Sequence, residues 1–300
     1  MERMEKLRGV VAPIITPCTP EDGVDYDALM RFYAHLAKSP IHGLYINGGT
    51  GDGGSLTREE REKTAELLLA ETKASGRCAI VHVGQTTTRQ AVALAEHAMA
   101  HGADAVASIP PRKGWDQIVQ YYQALAATGA PVFVYYIPGV TGMTAGLDEM
   151  RRLMDIPGVA GLKLSDWNVF LLRQVKLQYP DRIVYSGFDE MLLLGLLYGA
   201  DGCIGTWENL LPDLYVKVYE LVKACRAEEA RPLCEAFTDF LAAGWRYGII
   251  DTFEELMRAR GFAQRCFRRP TSWEPGKVPP EALGDLLNRL DALDALVQGR

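Results

Sequence analysis

Residues 10–23 read "VVAPIITPCTPEDG", an apolar, β-branched run that breaks into a proline-rich turn. The run has the composition of a buried strand, and the turn after it decides between two architectures. A doubly wound open sheet usually leaves its first strand through a glycine-rich loop that cradles a nucleotide phosphate. "PIITPCTPEDG" is no such loop, which favours the other α/β solution, a closed barrel.

Seven further runs of the same kind follow: "GLYINGG" (43–49), "CAIVHVG" (78–84), "AVASIP" (105–110), "PVFVYYIP" (131–138), "AGLKLS" (160–165), "RIVYSG" (182–187) and "DGCIGT" (201–206). Helical patterns lie between them, such as 58–75 and 88–103, the second stopping at Gly102 as a helix C-terminus would. Thr57 with Glu60 three residues on has the form of a capping box. Eight strands, each with its helix, predict a (β/α)8 TIM barrel, with the doubly wound sheet as runner-up. Beyond residue 223 the strand signal stops, and 227–245, 251–267 and 280–297 read as three more helices. The expected organisation is a catalytic barrel over 8–223 and a helical extension over 224–300.

The 300 residues are 48% hydrophobic and 23% charged, an ordinary globular composition. A net charge of −6 argues against nucleic acid as a partner. No run approaches the ~18 apolar residues of a membrane span. "MERMEKLRG" lacks the apolar core of a secretory signal. Six scattered cysteines without a CxxC pair fit a reducing cytoplasm rather than a disulfide framework. The five histidines do not cluster with acids or cysteines along the sequence, so no metal site is expected.

A barrel does its chemistry at the C-terminal ends of its strands. There "GVAGLKLSD" (158–166) places Lys163 in an otherwise apolar strand. Lysine is rarely buried without a partner, and a desolvated amine can lose its proton and attack a carbonyl. Other strand ends converge on the same mouth. "GGTGDGG" (48–54) can offer backbone N–H groups to a carboxylate or phosphate. "YYIPGVTG" (135–142) brings Tyr135 and Tyr136, of which only one can face inward. "SGFDE" (186–190) sets Asp189 and Glu190 at the rim, and "GTWEN" (205–209) sets Thr206 and Trp207 there.

These segments, in this order and at about this spacing, resemble the dihydrodipicolinate synthase/N-acetylneuraminate lyase family from about residue 8 to the end. The resemblance implies class I aldolase chemistry, in which a lysine forms a Schiff base with pyruvate or another 2-keto acid, with no metal or organic cofactor. It implies Lys163 as that lysine and Tyr135 as the proton-transfer residue. Thr50 and the backbone of Gly49 would cradle the keto-acid carboxylate. Ser165, Gly187, Asp189, Glu190 and Thr206 match positions that hold a polyhydroxy tail. A cytoplasmic homotetramer acting on a small-molecule sugar or keto acid is implied, without a nucleic-acid or membrane partner.

The departures point to the substrate. Val140 stands where synthases carry an arginine for the second carboxylate of their semialdehyde. "PPRKGWDQ" (110–117) replaces their tyrosine pair, and Gly49 a hydroxyl residue. Asp52 replaces a usual glutamate. Cleavage of N-acetylneuraminate to N-acetylmannosamine and pyruvate is therefore the first expectation, a 2-keto-3-deoxy sugar acid aldolase or dehydratase the second, and dihydrodipicolinate synthase the third. A keto-acid-binding regulator is the non-enzyme alternative, against which Lys163 and Tyr135 both speak.

Overall fold

The computed structural model describes residues 2–268 and 277–299. Eight parallel strands close in sequence order: β1 Gly9–Ala12, β2 Gly43–Ile46, β3 Cys78–His82, β4 Ala105–Ser108, β5 Val132–Tyr136, β6 Val159–Leu164, β7 Ile183–Ser186 and β8 Gly202–Cys203. The closed ring excludes the doubly wound sheet. Each strand is followed by a helix: α1 Tyr26–Leu36, α2 Arg58–Ser75, α3 Thr88–Ala100, α4 Trp115–Ala126, α5 Leu147–Met154, α6 Val169–Gln178, α7 Leu192–Leu197 and α8 Pro212–Lys223. The Thr57–Glu60 capping box forms, with Glu60 N–H on Thr57 Oγ1 at 3.2 Å and Thr57 N–H on Glu60 Oε2 at 2.8 Å.

The strands divide their side chains between two cores. Val11, Tyr45, Ile80, Ala107, Phe133, Tyr135 and Tyr185 fill the barrel interior. Val10, Leu44, Val81, Val106, Val134, Tyr136 and Leu162 pack outward under the helices. This is the two-sided burial a parallel barrel demands. In β6 the alternation is interrupted. Val132 pairs with Val159 but the next residue, Phe133, pairs with Gly161, so Ala160 is an extra residue, a β-bulge. The bulge resets the parity of everything after it and turns Lys163 inward, level with Tyr135 on β5 and Tyr185 on β7.

Three helices continue the chain: α9 Ala227–Trp245, α10 Ile249–Ala259 and α11 Pro280–Val297. The second is shorter than its pattern over 251–267. It ends at Ala259, and Gly261 takes a left-handed φ of 72°. The following coil is held across the barrel mouth instead. Both oxygens of Glu254 accept the Cys266 N–H, at 2.8 and 2.9 Å, and Asp52 Oδ2 accepts the Arg268 N–H at 2.9 Å. Asp52 is thus an anchor for the extension.

Candidate active site

Lys163 is 5% exposed. Its Nζ lies 4.3 Å from the ring centre of Tyr135 and 4.8 Å from that of Tyr45, over both faces, the distance at which an aromatic quadrupole attracts a cation. The two rings meet edge to face at 6.3 Å. Of the tyrosine pair, Tyr135 is the interior one. Tyr136 turns outward, where its hydroxyl accepts the Ala145 N–H at 2.9 Å. Ser165 Oγ donates to Tyr135 Oη at 3.4 Å. Gly187 closes the group from β7. A Cβ there would lie 2.2 Å from Ser165 Oγ and 3.0 Å from Lys163 Cε, so only glycine leaves the lysine stem its channel.

Across the mouth, the Thr50 and Thr206 hydroxyls are 2.9 Å apart, joining the loops after β2 and β8. In the β2 loop, Asp52 N–H bonds Gly49 O and Gly53 N–H bonds Gly48 O, both at 3.0 Å. These bonds fold the turn while leaving the N–H groups of Gly49 and Thr50 without a partner among the described residues, as an anion cradle needs. A Cβ on Gly49 would meet nothing within 4 Å, so a hydroxyl residue would fit there and glycine is no steric necessity.

Asp189 is more committed than a tail-binding acid. Its carboxylate accepts the N–H of Thr206 at 3.1 Å, that of Trp207 at 3.3 Å, and the Tyr215 hydroxyl. It fixes the loop that carries Thr206. Burial pushes its pKa up to about 6 against the pull of those donors. Glu190, in the same short turn and also raised by burial, has no such ties to that loop. Trp207, expected at the mouth, is instead core, 4.9 Å from Phe240 and 5.6 Å from Phe253. It seats the extension on the barrel.

The sequence pattern passes over several residues that the fold brings here. Tyr45 is one, its hydroxyl buried without a partner among the described residues. His82, at the end of β3, accepts the Ile109 N–H on Nε2 at 3.0 Å. The ring proton of the neutral imidazole therefore sits on Nδ1, which is buried and faces the Asn47 backbone carbonyl. Burial, then the charges of Arg61 and Lys163, hold His82 well below the ordinary histidine range. Arg61 reaches from α2 to the carbonyls of His82 and Gly84, at 2.5 and 2.8 Å. With Arg112, Lys113 and Val140, His82 and Arg61 line a cavity of about 460 Å³ beside the mouth. His82 inside the apolar run 78–84 was the available signal, whereas Arg61 stands in the charged stretch 57–64 and carried none. Elsewhere, His97 on α3 and His101 at its C-cap meet Glu66 on α2, because neighbouring barrel helices bring together residues 31 positions apart.

A parallel barrel whose mouth holds one buried lysine between two tyrosines has the architecture of an aldolase-type enzyme. The chain belongs to the dihydrodipicolinate synthetase family, whose sequence profile matches residues 6–274, and it is a carbon–carbon lyase of the Schiff-base aldolase class. It is 32% identical to an N-acetylneuraminate lyase from Shigella boydii over 243 residues, 78% of this chain and 82% of that protein. An N-acetylneuraminate lyase from Escherichia coli matches to the same extent. Among solved structures, N-acetylneuraminate lyase from Fusobacterium nucleatum superposes with a TM-score of 0.87 at 24% identity, covering 95% of this chain and 99% of that one. The 4-hydroxy-tetrahydrodipicolinate synthase from Methylacidiphilum fumariolicum SolV superposes with 0.89 at 24% identity, covering 98% and 99%. Among the described residues no helix is long and apolar enough to cross a membrane.

Proposed function

We propose that the chain cleaves a sugar-derived 2-keto acid, N-acetylneuraminate first, to pyruvate and an aldehyde sugar, with Lys163 as the Schiff-base residue. The observation that carries this reading is the Lys163 Nζ over the Tyr135 ring at 4.3 Å, in a stem channel that Gly187 keeps open. Lys163 attacks the C2 carbonyl and water leaves, giving a protonated imine. Tyr135, ionised once its proton has left with that water, takes the proton of the C4 hydroxyl, the C3–C4 bond breaks, and its electrons move into the imine to form an enamine. The aldehyde departs. Protonation at C3 and hydrolysis then release pyruvate and restore the amine. The free N–H groups of Gly49 and Thr50 suit the keto-acid carboxylate. Ser165, Gly187 and Thr206 border the space for the hydroxylated tail, with Glu190 as its freer acceptor and Asp189 as the support of Thr206.

The N-acetylneuraminate lyases at 32% identity support this substrate. One observation favours the synthase as second reading. Arg112 donates to the Val140 carbonyl and lines the adjoining cavity with Lys113. A cation thus stands beside the position where Val140 replaces the synthase arginine. In the same reading, residues 8–223 are the catalytic unit and 224–300 the extension. The chain works in the cytoplasm, where its six unpaired cysteines stay reduced, and as a homotetramer.

Borohydride added with pyruvate should leave one reduced pyruvate adduct per chain, mapped by mass spectrometry to Lys163. An adduct elsewhere, or none, would remove the assignment. Comparing kcat/KM for N-acetylneuraminate with that for condensation of pyruvate and aspartate semialdehyde then chooses between the readings. A higher value for the semialdehyde would give the second reading the function.

A further inference from the structure

On the outer wall, far from the chemistry, α2 and α3 bring two histidines and a carboxylate together. His97 and His101 stand four residues apart, so both rings project from one face of α3. Their centroids are 4.2 Å apart. Glu66 faces them from α2, its Oε1 lying 2.9 Å from His97 Nε2 and 3.7 Å from His101 Nε2. One ligand atom from each residue fits within a mutual spacing of 4.8 Å.

A simple Glu66–His97 hydrogen bond would account for the shorter contact. It leaves unexplained why His101 turns toward the same oxygen. His101 Nδ1 lies 2.9 Å from the carbonyl of His97. A carbonyl only accepts, so the ring proton sits on Nδ1 and Nε2 presents its lone pair toward Glu66. Backbone-fixed tautomers of this kind are how metal-ligating histidines are oriented. Zinc binds imidazole nitrogen and carboxylate oxygen at about 2.0–2.2 Å, so two ligands at a tetrahedral ion stand roughly 3.3–3.5 Å apart. The two contacts here, 2.9 and 3.7 Å, straddle that separation.

We propose that Glu66, His97 and His101 bind a divalent zinc-class ion that ties α2 to α3, with water completing the coordination. His101 and Glu66 are exposed and His97 half-buried, so an ion can enter from solvent and keep a water ligand. Two imidazoles with one carboxylate suit zinc, nickel or copper better than magnesium or calcium. Barrel helices run from the catalytic mouth to the opposite end, and His97 and His101 close the C-terminal turn of α3. The ion therefore braces the wall at the end remote from Lys163 and takes no part in turnover.

The test is zinc titration of the chelator-washed full-length protein by calorimetry, with thermal unfolding alongside. The wild type should take up one equivalent and unfold at higher temperature with zinc. His97→Gln/His101→Gln should weaken uptake at least about tenfold and lose the thermal shift, and Glu66→Gln should weaken uptake in the same direction. These side chains reach solvent, and circular dichroism confirms that the variants fold. Zinc bound as tightly by the double variant would place the metal elsewhere, at a cysteine for instance, and overturn the proposal. So would no uptake at millimolar zinc. Turnover should be the same before and after chelation; loss of activity on chelation would overturn the remote, structural placement.

Discussion

Tyr135 and Tyr136 are adjacent, chemically identical, and divided by the pleat. One reaches Lys163 and the other caps the loop at Ala145. Tyr135→Phe removes only a hydroxyl from the interior, so folding and the cation–ring contact should persist. Turnover should fall by about 10² to 10⁴-fold, the usual contribution of a general acid/base group, while borohydride still traps pyruvate at full stoichiometry. A near wild-type rate would move the proton transfer to another group. The two rim acids separate in the same way. Asp189 is bound into the β8 loop, so its removal disturbs Thr206 as well as any substrate. Glu190→Gln is the cleaner probe of the tail. It should raise KM for the long sugar acid several-fold and leave pyruvate binding unchanged, because a site built to accept hydroxyl donors weakens when its acceptor changes. An equal effect on both ligands would mean that Glu190 shapes the mouth rather than the tail site.

Among the elements, α6 and α7 expose large apolar side chains on their outer faces as well as burying others. Phe170 and Leu177 on α6 are 63% and 65% exposed, and Leu194 and Leu197 on α7 are exposed beside them. The helices pack side by side, so these apolar side chains share one wall of the barrel, a surface of the kind that oligomers cover. A second copy of the chain is the occupant that the proposed homotetramer supplies. Leu197→Glu should therefore lower the mass measured by light scattering, from tetramer toward dimer, with the circular dichroism spectrum unchanged. An unchanged mass would detach this face from assembly.

At the scale of the molecule, the fold buries acids that hold their proton more tightly than the unfolded chain does. Glu208 is fully buried behind the mouth, with one oxygen accepting the Gly205 N–H at 2.9 Å and the Cys203 thiol as a further partner. Burial, with the charge of Asp189 adding to it, holds its pKa well above the usual carboxyl range. Glu254, pushed up to about 7 chiefly by burial, acts in the same sense. For such groups the native state binds the proton that the unfolded chain has lost. Their stabilisation is complete below about pH 4.5 and fades as pH rises to the folded value. His82 opposes them. It stays neutral when folded, so its contribution grows until pH passes the unfolded histidine value near 6.5. Above pH 7 that opposition has ended, and Lys176, lowered to about 8 chiefly by burial, resists the trend toward pH 8, so the melting temperature should fall between pH 7 and 7.5. The slope is bounded by about 1.4 kcal/mol per pH unit for each proton taken up. Glu208→Gln keeps the acceptor for Gly205 and should flatten that slope; an unchanged slope would show that Glu208 does not carry it.

Chemistry that depends on neighbours within a few positions is legible in the chain itself. The proline-rich turn after β1, the Thr57–Glu60 box, the eight apolar runs and the lysine in the sixth are all of this kind, so the barrel and its candidate mouth follow from consecutive residues. Strand ends read too long, since apolar character continues into loops where hydrogen bonding has stopped, as at Thr206. What consecutive residues cannot express is parity and distance. Strict alternation from Val159 would put Lys163 on the outer face, and the bulge at Ala160, created by the unequal pairing of β5 and β6, turns it inward. Trp207 and Asp189 have the pattern of rim residues, yet the extension and the β8 loop close over them. Glu66 meets His97 and His101 because closure of the ring sets α2 against α3. Each of these outcomes is a contact between segments far apart in the chain, and only the packed barrel fixes which of them form.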